Sequence, residues 1–196
     1  MSDVQSDRSA SLVAANAYAL ALAVPLVGVL VVPFGLAWGW GAVARGASWW
    51  ADRPVVALAA LVAGVVAHEG LHALAWRSAA RLPPGAVRLG FNWTALTPYA
   101  HCSAPMPARA YRIGAAAPGV ALGLVPAVAA WATGSGAALA FALLFTLAAG
   151  GDALILWLLR GVAAEARVVD HPTRAGCLVL GEDPAGAAAV APGGNP

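Results

Sequence analysis

Four long apolar stretches constrain the fold of this chain more than any other feature of its sequence. They cover about residues 12–40, 54–76, 111–132 and 137–159, and each is long enough to cross a membrane as a helix. Hydrophobic residues make up 61% of the chain and charged residues 10%, against roughly half and about a quarter in soluble domains. The sequence therefore predicts an all-α membrane protein with four transmembrane helices that contact a lipid bilayer.

The four spans are predicted to form one domain over residues 12–160, with polar segments on both sides. Residues 1–11 are predicted to be an N-terminal tail, and residues 161–183 a polar tail on the cytoplasmic side. Residues 184–196 are rich in alanine, glycine and proline. This composition is typical of a disordered C-terminus.

The segment between the second and third spans has the period of a strand. Apolar residues alternate with polar residues and glycine from Val87 to Thr94. Pro98 and Pro105 limit any continuation, so we expect a short hairpin or an extended loop at the membrane surface. Two interpretations remain open: an ordinary linker, or an exposed edge onto which a peptide pairs as an added strand.

The distribution of arginines predicts the orientation of the spans. Nine of the eleven basic residues fall in the N-terminal segment, the loop after the second span and the C-terminal tail. Arg45 and Arg53, the other two, precede the second span. Because basic residues accumulate on the cytoplasmic side, we expect a multi-pass cell-membrane protein with both termini in the cytoplasm. No basic run indicates binding to nucleic acid.

The second apolar span carries the pattern His68-Glu69-Gly70-Leu71-His72. Residues four apart share a helix face, so His68 and His72 can turn their rings toward one metal ion. Glu69 lies beside them, where a carboxylate can take a proton from a metal-activated water. The alternative is a pair of helix histidines bonded to nearby polar groups, with Glu69 as their partner. A buried unpaired carboxylate is costly within an apolar span, so the pattern favours a zinc site.

Asp152 is the candidate for a third metal ligand. A catalytic zinc usually takes three protein ligands and keeps a fourth position for water. Glu69 and Asp152 are the two acids within the apolar spans. If the second and fourth spans are neighbours, Asp152 lies level with the two histidines, and Gly150-Gly151 lets its backbone approach the zinc helix closely. Alternatively, Asp152 bonds to a nearby serine or backbone group.

The remaining histidines and cysteines of the chain all fall on the predicted cytoplasmic side: His101, Cys102, His171 and Cys177. One hypothesis is that they form a second, structural zinc site with two Cys and two His ligands. Their spacing differs from that of zinc fingers. The other hypothesis is that His101 caps the active-site cleft while the cysteines pack in the core as reduced thiols.

Several short motifs form an ordered series between His68 and Cys177. They are His68-Glu69-Gly70-Leu71-His72, Thr97-Pro98-Tyr99-Ala100-His101-Cys102 with Pro105, Tyr111-Arg112-Ile113-Gly114 through Pro118-Gly119, Ala148-Ala149-Gly150-Gly151-Asp152, and Asp170-His171-Pro172 with Gly176-Cys177. This series resembles the zincin peptidase family, small membrane proteins of bacteria and archaea first grouped as a domain of unknown function. The resemblance implies metalloprotease activity but no particular substrate.

The order of the two metal-binding motifs is also similar, more distantly, to that of site-2 proteases. Both place His-Glu-x-x-His on one span and an aspartate on a later span. The later motif of site-2 proteases reads Leu-Asp-Gly, whereas here two glycines precede Asp152.

The sequence therefore predicts an integral membrane zinc metalloprotease that cleaves peptide or membrane-protein substrates. His68, His72 and Asp152 hold zinc, and Glu69 is the general base that later protonates the leaving amine. His101 or a backbone N–H of the hairpin donates to the oxyanion. The alternatives are a non-catalytic metal-binding scaffold or substrate-binding relative, and a small metal transporter. Glu69 disfavours an inactive protein, and the lack of a second row of polar residues across the spans disfavours transport.

The predicted topology can be tested with reporter fusions at two connections. A reporter in the loop at residues 81–109 should give the cytoplasmic signal, and one in the Gly134-Ser135-Gly136 turn the opposite signal. A fusion after residue 181 serves as the control and should match the loop. The same signal at the loop and at the turn would mean that a span has been miscounted.

Overall fold

The computed structural model describes residues 4–93 and 97–181, which form a mainly helical protein with a small β component. The helices are α1 (Leu12–Trp38), α2 (Trp40–Ala51), α3 (Pro54–Ala80), α4 (Ala108–Pro118), α5 (Val125–Thr133), α6 (Gly136–Ala148) and α7 (Gly150–Leu158). The strands are β1 (Val4–Ala10), β2 (Val87–Asn92), β3 (Thr97–Cys102), β4 (Met106–Pro107), β5 (Arg167–Asp170) and β6 (Ala175–Leu180). A π-helical segment, Gly119–Leu124, joins α4 to α5.

Three helices of the described residues are long and apolar enough to cross a membrane. Two of them are α1 and α3, with 27 residues each, and the third runs unbroken for 26 residues from α4 through α5. A fourth crossing exists if α6 and α7, which are bent by 44° at the break between them, count as one span. The four predicted spans are therefore confirmed in part, as three unbroken helices and one bent pair.

The larger sheet corrects the prediction of an all-α protein. Its four strands are antiparallel and lie in the order β1-β6-β5-β4. β1 comes from the segment assigned to an N-terminal tail, and β5 and β6 come from the segment assigned to a polar tail. Pairing between the two ends of the chain leaves no local pattern, which is why the sequence did not indicate this sheet. The disorder predicted for residues 184–196 lies outside the described residues.

The segment between α3 and α4 forms a regular antiparallel hairpin. Its register runs from Val87 opposite Cys102 to Asn92 opposite Thr97. β3 packs against α3 and β5, while β2 also packs against α3. Of the two forms expected here, the structure has the hairpin, and it places β3 over the helix that carries the His-Glu-x-x-His pattern.

The boundaries of α3 follow from its terminal residues. Pro54 occupies the first turn, where proline loses no helical hydrogen bond. Arg77 lies in the last turn, where a cation interacts favourably with the helix dipole. The helix ends at Ala80 and is capped by Arg81, whose φ of 51° is left-handed. α3 therefore extends beyond the predicted end of the second span at residue 76.

Two buried clusters hold the elements together at opposite ends of the helices. The first joins α1, α2, α5 and α6 and consists of Phe34, Ala42, Ala130 and Leu139. The second joins the last part of α3, the first part of α4 and the end of α7 to the strands; its members include Trp76, Cys102, Met106, Tyr111, Leu159, Val168 and Cys177. The strands and the His-Glu-x-x-His pattern are thus at the same end of the bundle.

Close contacts between helices depend on glycines that leave no room for a methyl group. A Cβ atom at Gly46 in α2 would overlap the backbone of Gly136 in α6. A Cβ atom at Gly64 in α3 would overlap the ring of Phe145. Small residues at helix crossings are the usual means by which membrane helices approach each other.

Gly46→Ala should destabilise the protein by about 1–3 kcal/mol, because the added methyl group overlaps backbone atoms that cannot rotate away. Gly28→Ala in α1 is the matched control, since nothing lies within 4 Å of a Cβ atom there. The control should be neutral or stabilise by at most about 1 kcal/mol. Thermal unfolding in detergent measures both; equal midpoints would contradict the contact between α2 and α6.

Candidate metal centre

The two histidines of the pattern lie one turn apart on a buried face of α3. The His68 side chain is 11% exposed and that of His72 is 8% exposed. Their ring centroids are 5.0 Å apart. The spacing of four residues therefore brings both rings to one side of the helix, as the sequence predicts.

Asp152 in α7 faces both histidines. Its Oδ2 lies 3.2 Å from Nε2 of His68, and its Oδ1 lies 3.3 Å from Nε2 of His72. Donor atoms of the three residues all lie within 4.8 Å of one another. Within the described part of the chain, this is the one group of three or more His, Cys, Asp or Glu side chains arranged so.

The hydrogen bonding of His72 indicates that this cluster fits a cation. Nδ1 of His72 is 2.9 Å from the carbonyl oxygen of Gly114, which can only accept, so Nδ1 carries the proton. In a neutral ring, Nε2 then presents a lone pair to a carboxylate oxygen of Asp152. Two acceptors in this arrangement repel each other unless a cation lies between them or the ring gains a second proton.

The distances and the unpaired atoms also fit a metal ion. Two ligand atoms on a tetrahedral zinc, with bonds of about 2.0–2.1 Å, are roughly 3.3 Å apart. The Asp152 oxygens lie at 3.2 and 3.3 Å from the histidine nitrogens. Among the described residues, the buried Oδ2 of Asp152 also has no hydrogen-bond partner. The donor set of two imidazoles and a carboxylate is one that zinc accepts.

Two aromatic rings in a stack, those of Trp76 and Tyr111, support the ring of His72. The His72 ring stacks on Trp76 at a centroid distance of 5.3 Å, and Trp76 stacks on Tyr111 at 5.4 Å. Nε1 of Trp76 donates to the backbone carbonyl of Tyr111 over 3.1 Å. α4 therefore fixes the orientation of His72 through both the Gly114 carbonyl and this stack.

The break between α6 and α7 places Asp152 in the first turn of α7. A negative charge is stabilised there by the N-terminal end of the helix dipole. The glycine pair acts differently from the prediction: a Cβ atom at Gly150 would lie 2.5 Å from Cβ of Ala19 in α1, whereas nothing lies within 4 Å of one at Gly151. Gly150 therefore allows contact between α7 and α1, not contact with α3.

A cavity of about 660 Å³ opens on the three candidate metal ligands. It is bordered by α1, α3, α4, the end of α6, α7, β3, β5, β6 and the turn between β5 and β6. Glu69 lies on this cavity, with its carboxylate toward the backbone N–H of Ala100 in β3. The general base predicted from the sequence is thus beside the histidines and accessible from the cavity.

His101 borders the same cavity and is held by Asp170 of β5. Nδ1 of His101 lies 2.9 Å from Oδ2 of Asp170. Burial raises the pKa of the Asp170 carboxyl above its usual range, although its hydrogen bonds with Tyr111, Cys102 and His101 act in the opposite direction. No local pattern in the sequence connects Asp170 with His101 across the 68 intervening residues, so this role of Asp170 could not be predicted.

Within the described residues, the four side chains proposed for a second zinc site do not lie close enough together to bind one metal ion. Cys102 and Cys177 are free and fully buried. Burial raises the pKa of both thiols, to about 12 for Cys177. Nδ1 of His171 accepts from two backbone N–H groups of its own turn. These contacts favour the hypothesis in which His101 borders the cleft and the cysteines pack in the core.

Comparison with known proteins identifies one family. The family model described as "Putative zincin peptidase" matches residues 61–167, more than half of the chain. The matched part contains His68, Glu69, His72, His101 and Asp152. No curated protein and no solved structure matches the chain. The family resemblance inferred from the spaced motifs is therefore confirmed.

Asp152→Ala should lower zinc affinity by at least about 100-fold, because losing a ligand costs no less than losing an outer-shell partner of one. Metal content of protein purified in detergent, measured by mass spectrometry, checks this. Asp52→Ala, at the exposed end of α2, is the control and should keep one zinc per chain. Unchanged zinc in Asp152→Ala would contradict the cluster as a metal site, and two zinc ions per wild-type chain would support the Cys/His site.

Proposed function

This chain belongs to the zincin peptidase family, and we propose on that premise that it is an integral membrane zinc metallopeptidase. The observation that carries the proposal is the convergence of Glu69 with His68, His72 and Asp152 on one cavity. These groups come from two helices, α3 and α7, that are far apart in the chain, since α3 ends at Ala80 and α7 begins at Gly150. They are the parts that metal-assisted hydrolysis of a peptide bond requires.

His68, His72 and Asp152 are the residues that would hold zinc. When bound, zinc supplies a Lewis acid that makes water more acidic and polarises a carbonyl group. The bond from Nδ1 of His72 to the Gly114 carbonyl keeps Nε2 of that ring directed at Asp152. Such outer-shell bonds fix the tautomer and the orientation of a ligand.

Glu69 is the proposed general base. Its carboxylate accepts the proton of the attacking water and later gives that proton to the amine nitrogen as the C–N bond breaks. The Ala100 N–H beside it can hold the carboxylate in place between these steps. Glu69 thus returns to its starting state after each cleavage.

The edge of β3 is the proposed docking site for the peptide. Among the described residues β3 pairs only with β2, and Pro98, Tyr99, Ala100 and His101 border the cavity. Pro98 has no N–H and the N–H of Cys102 donates to Asp170, so an extended peptide beside β3 can donate hydrogen bonds to the carbonyl oxygens of this edge and bring a peptide bond to Glu69. This arrangement supports a peptide or an extended segment of a membrane protein as the substrate class.

The proposed orientation places the cavity at the cytoplasmic end of the spans. The long apolar helices support residence in a membrane. The end of α3 near the cavity carries Arg77 and Arg81. Six of the nine remaining arginines follow in the strands, the first part of α4 and the turns. Both termini are on the same side in this arrangement, as the arginine distribution predicts.

Glu69→Gln should lower peptide cleavage by about 10²–10⁴-fold, because a carboxamide cannot accept the proton of water. Zinc content should stay at the wild-type level, since Glu69 is not a ligand. The assay compares membrane proteomes of cells that express either form and then tests candidate peptides on purified protein. Glu165→Gln, at an exposed pair with Arg109, is the control and should cleave normally.

Retained cleavage in Glu69→Gln would show that another group is the base. Loss of zinc in this variant would show that Glu69 is a ligand. Wild-type protein that binds peptides and zinc but never cleaves would support the non-catalytic scaffold instead.

A further inference from the structure

His101 is oriented by a contact with a residue that is not one of the candidate metal ligands. Its Nδ1 is 2.9 Å from Oδ2 of Asp170, and a carboxylate accepts from a ring N–H. Nε2 is on the opposite edge of the ring. The side chain is 29% exposed and borders the cavity that contains Glu69, so Nε2 is the nitrogen available to a bound molecule.

Asp170 is itself held from two other sides. The hydroxyl of Tyr111 donates to Oδ1 over 2.6 Å, and the backbone N–H of Cys102 donates to Oδ2 over 3.2 Å. The Tyr111 hydroxyl also lies 3.0 Å from the carbonyl oxygen of Gly176. Tyr111 is fully buried and stacks on Trp76. The carboxylate is therefore a rigid partner for His101, built from α4, β3, β5 and β6.

The position of His101 along β3 brings it close to the general base. Ala100, the preceding residue, borders the same cavity as Glu69, and β3 packs against α3, the helix that carries Glu69. A peptide bond attacked by the water that Glu69 activates therefore lies in the cavity that the His101 ring borders. Tyr111, whose hydroxyl donates to Asp170, also stacks on Trp76, which stacks on His72. The same residues therefore contact the partner of His101 and one of the candidate metal ligands.

We propose that His101 is a further catalytic residue, whose Nε2–H donates to the carbonyl oxygen of the scissile peptide as that oxygen becomes an oxyanion. We assign Asp170 and Tyr111 as the residues that position it. This inference rests on the proposed function, because it needs a peptide bond in the cavity.

The step balances with groups of this chain. Water loses a proton to Glu69 and forms the new C–O bond, while the carbonyl electron pair moves to oxygen and is stabilised by the His101 N–H. When the C–N bond breaks, the electron pair returns to the carbonyl and Glu69 protonates the amine. Donation from Nε2 requires the doubly protonated ring, in which Nδ1–H contacts the Asp170 carboxylate, and His101 keeps both protons throughout.

A double-mutant cycle tests both assignments. His101→Ala should lower kcat by about 10²–10³-fold, the usual loss for one oxyanion donor, with little change in KM or zinc content. Asp170→Asn should lower kcat by about 10–100-fold in the wild-type background. In the His101→Ala background it should change kcat by no more than about twofold, because Asp170 acts through His101.

Controls separate positioning from folding. Asp7→Asn, an exposed acid in β1 of the same sheet, should leave kcat unchanged. If thermal unfolding shows that Asp170→Asn does not fold, Tyr111→Phe takes its place in the cycle, since it removes only the hydroxyl that holds the carboxylate. Additive losses in kcat would overturn the positioning role, and a normal kcat in His101→Ala would overturn the catalytic role.

Two further measurements do not depend on turnover. A phosphinic peptide, which carries oxygens resembling the oxyanion, should bind His101→Ala at least about tenfold more weakly, whereas the plain peptide of the same sequence should bind equally. In metal-free protein labelled with ¹⁵N-histidine, NMR at the pH of the cleavage assay should show both ring nitrogens of His101 protonated, and Asp170→Asn should lose this double protonation. An unprotonated Nε2 in the wild type would overturn the inference.

The outcomes also distinguish this inference from the proposed function. Wild-type protein that neither cleaves peptides nor binds the phosphinic peptide would overturn both. Cleavage that depends on Glu69 but is unchanged in His101→Ala would overturn only the role of His101.

Discussion

The contact of one buried carboxylate with two imidazole rings is the constraint on which the rest of the structure depends. Asp152 lies 3.2 and 3.3 Å from His68 and His72, in a bundle whose spans otherwise carry almost no charge. An unpaired carboxylate in such surroundings costs several kcal/mol. The bend between α6 and α7, and the contact of Gly150 with Ala19 of α1, are the features that place the carboxylate beside α3.

The β elements build the polar half of the cleft that helices alone do not supply. Apolar helix faces can enclose a metal cluster, but they offer no free backbone donors or acceptors to an extended peptide. The hairpin of β2 and β3 brings the edge of β3, with its backbone carbonyl groups, over α3. The four-stranded sheet holds the hairpin through the hydrogen bond from the Cys102 N–H to Asp170. The site therefore combines a membrane-type bundle with a small sheet at one of its ends.

A continuous path of contacts links the two histidine sites of the cleft. His72, Trp76 and Tyr111 stack in sequence, and the Tyr111 hydroxyl donates to the carboxylate that holds His101. Stacked, fully buried rings have few alternative rotamers. The orientations of the His72 ring and of the His101 ring are thus set by the same stacked side chains, Trp76 and Tyr111, rather than by separate loops.

The sequence by itself determined the apolar spans and the His-Glu-x-x-His pattern, and it singled out Asp152 as the acid expected beside the two histidines. Span length, four-residue spacing and isolated acids are local features of the chain. It also indicated the hairpin through its alternation. The tertiary structure alone decided the pairing of β1 with β6, the bend before α7, the contact of Gly150 with α1 and the partnership of Asp170 with His101. Each of these joins residues far apart in the chain, and such contacts arise from packing and burial that no local pattern records.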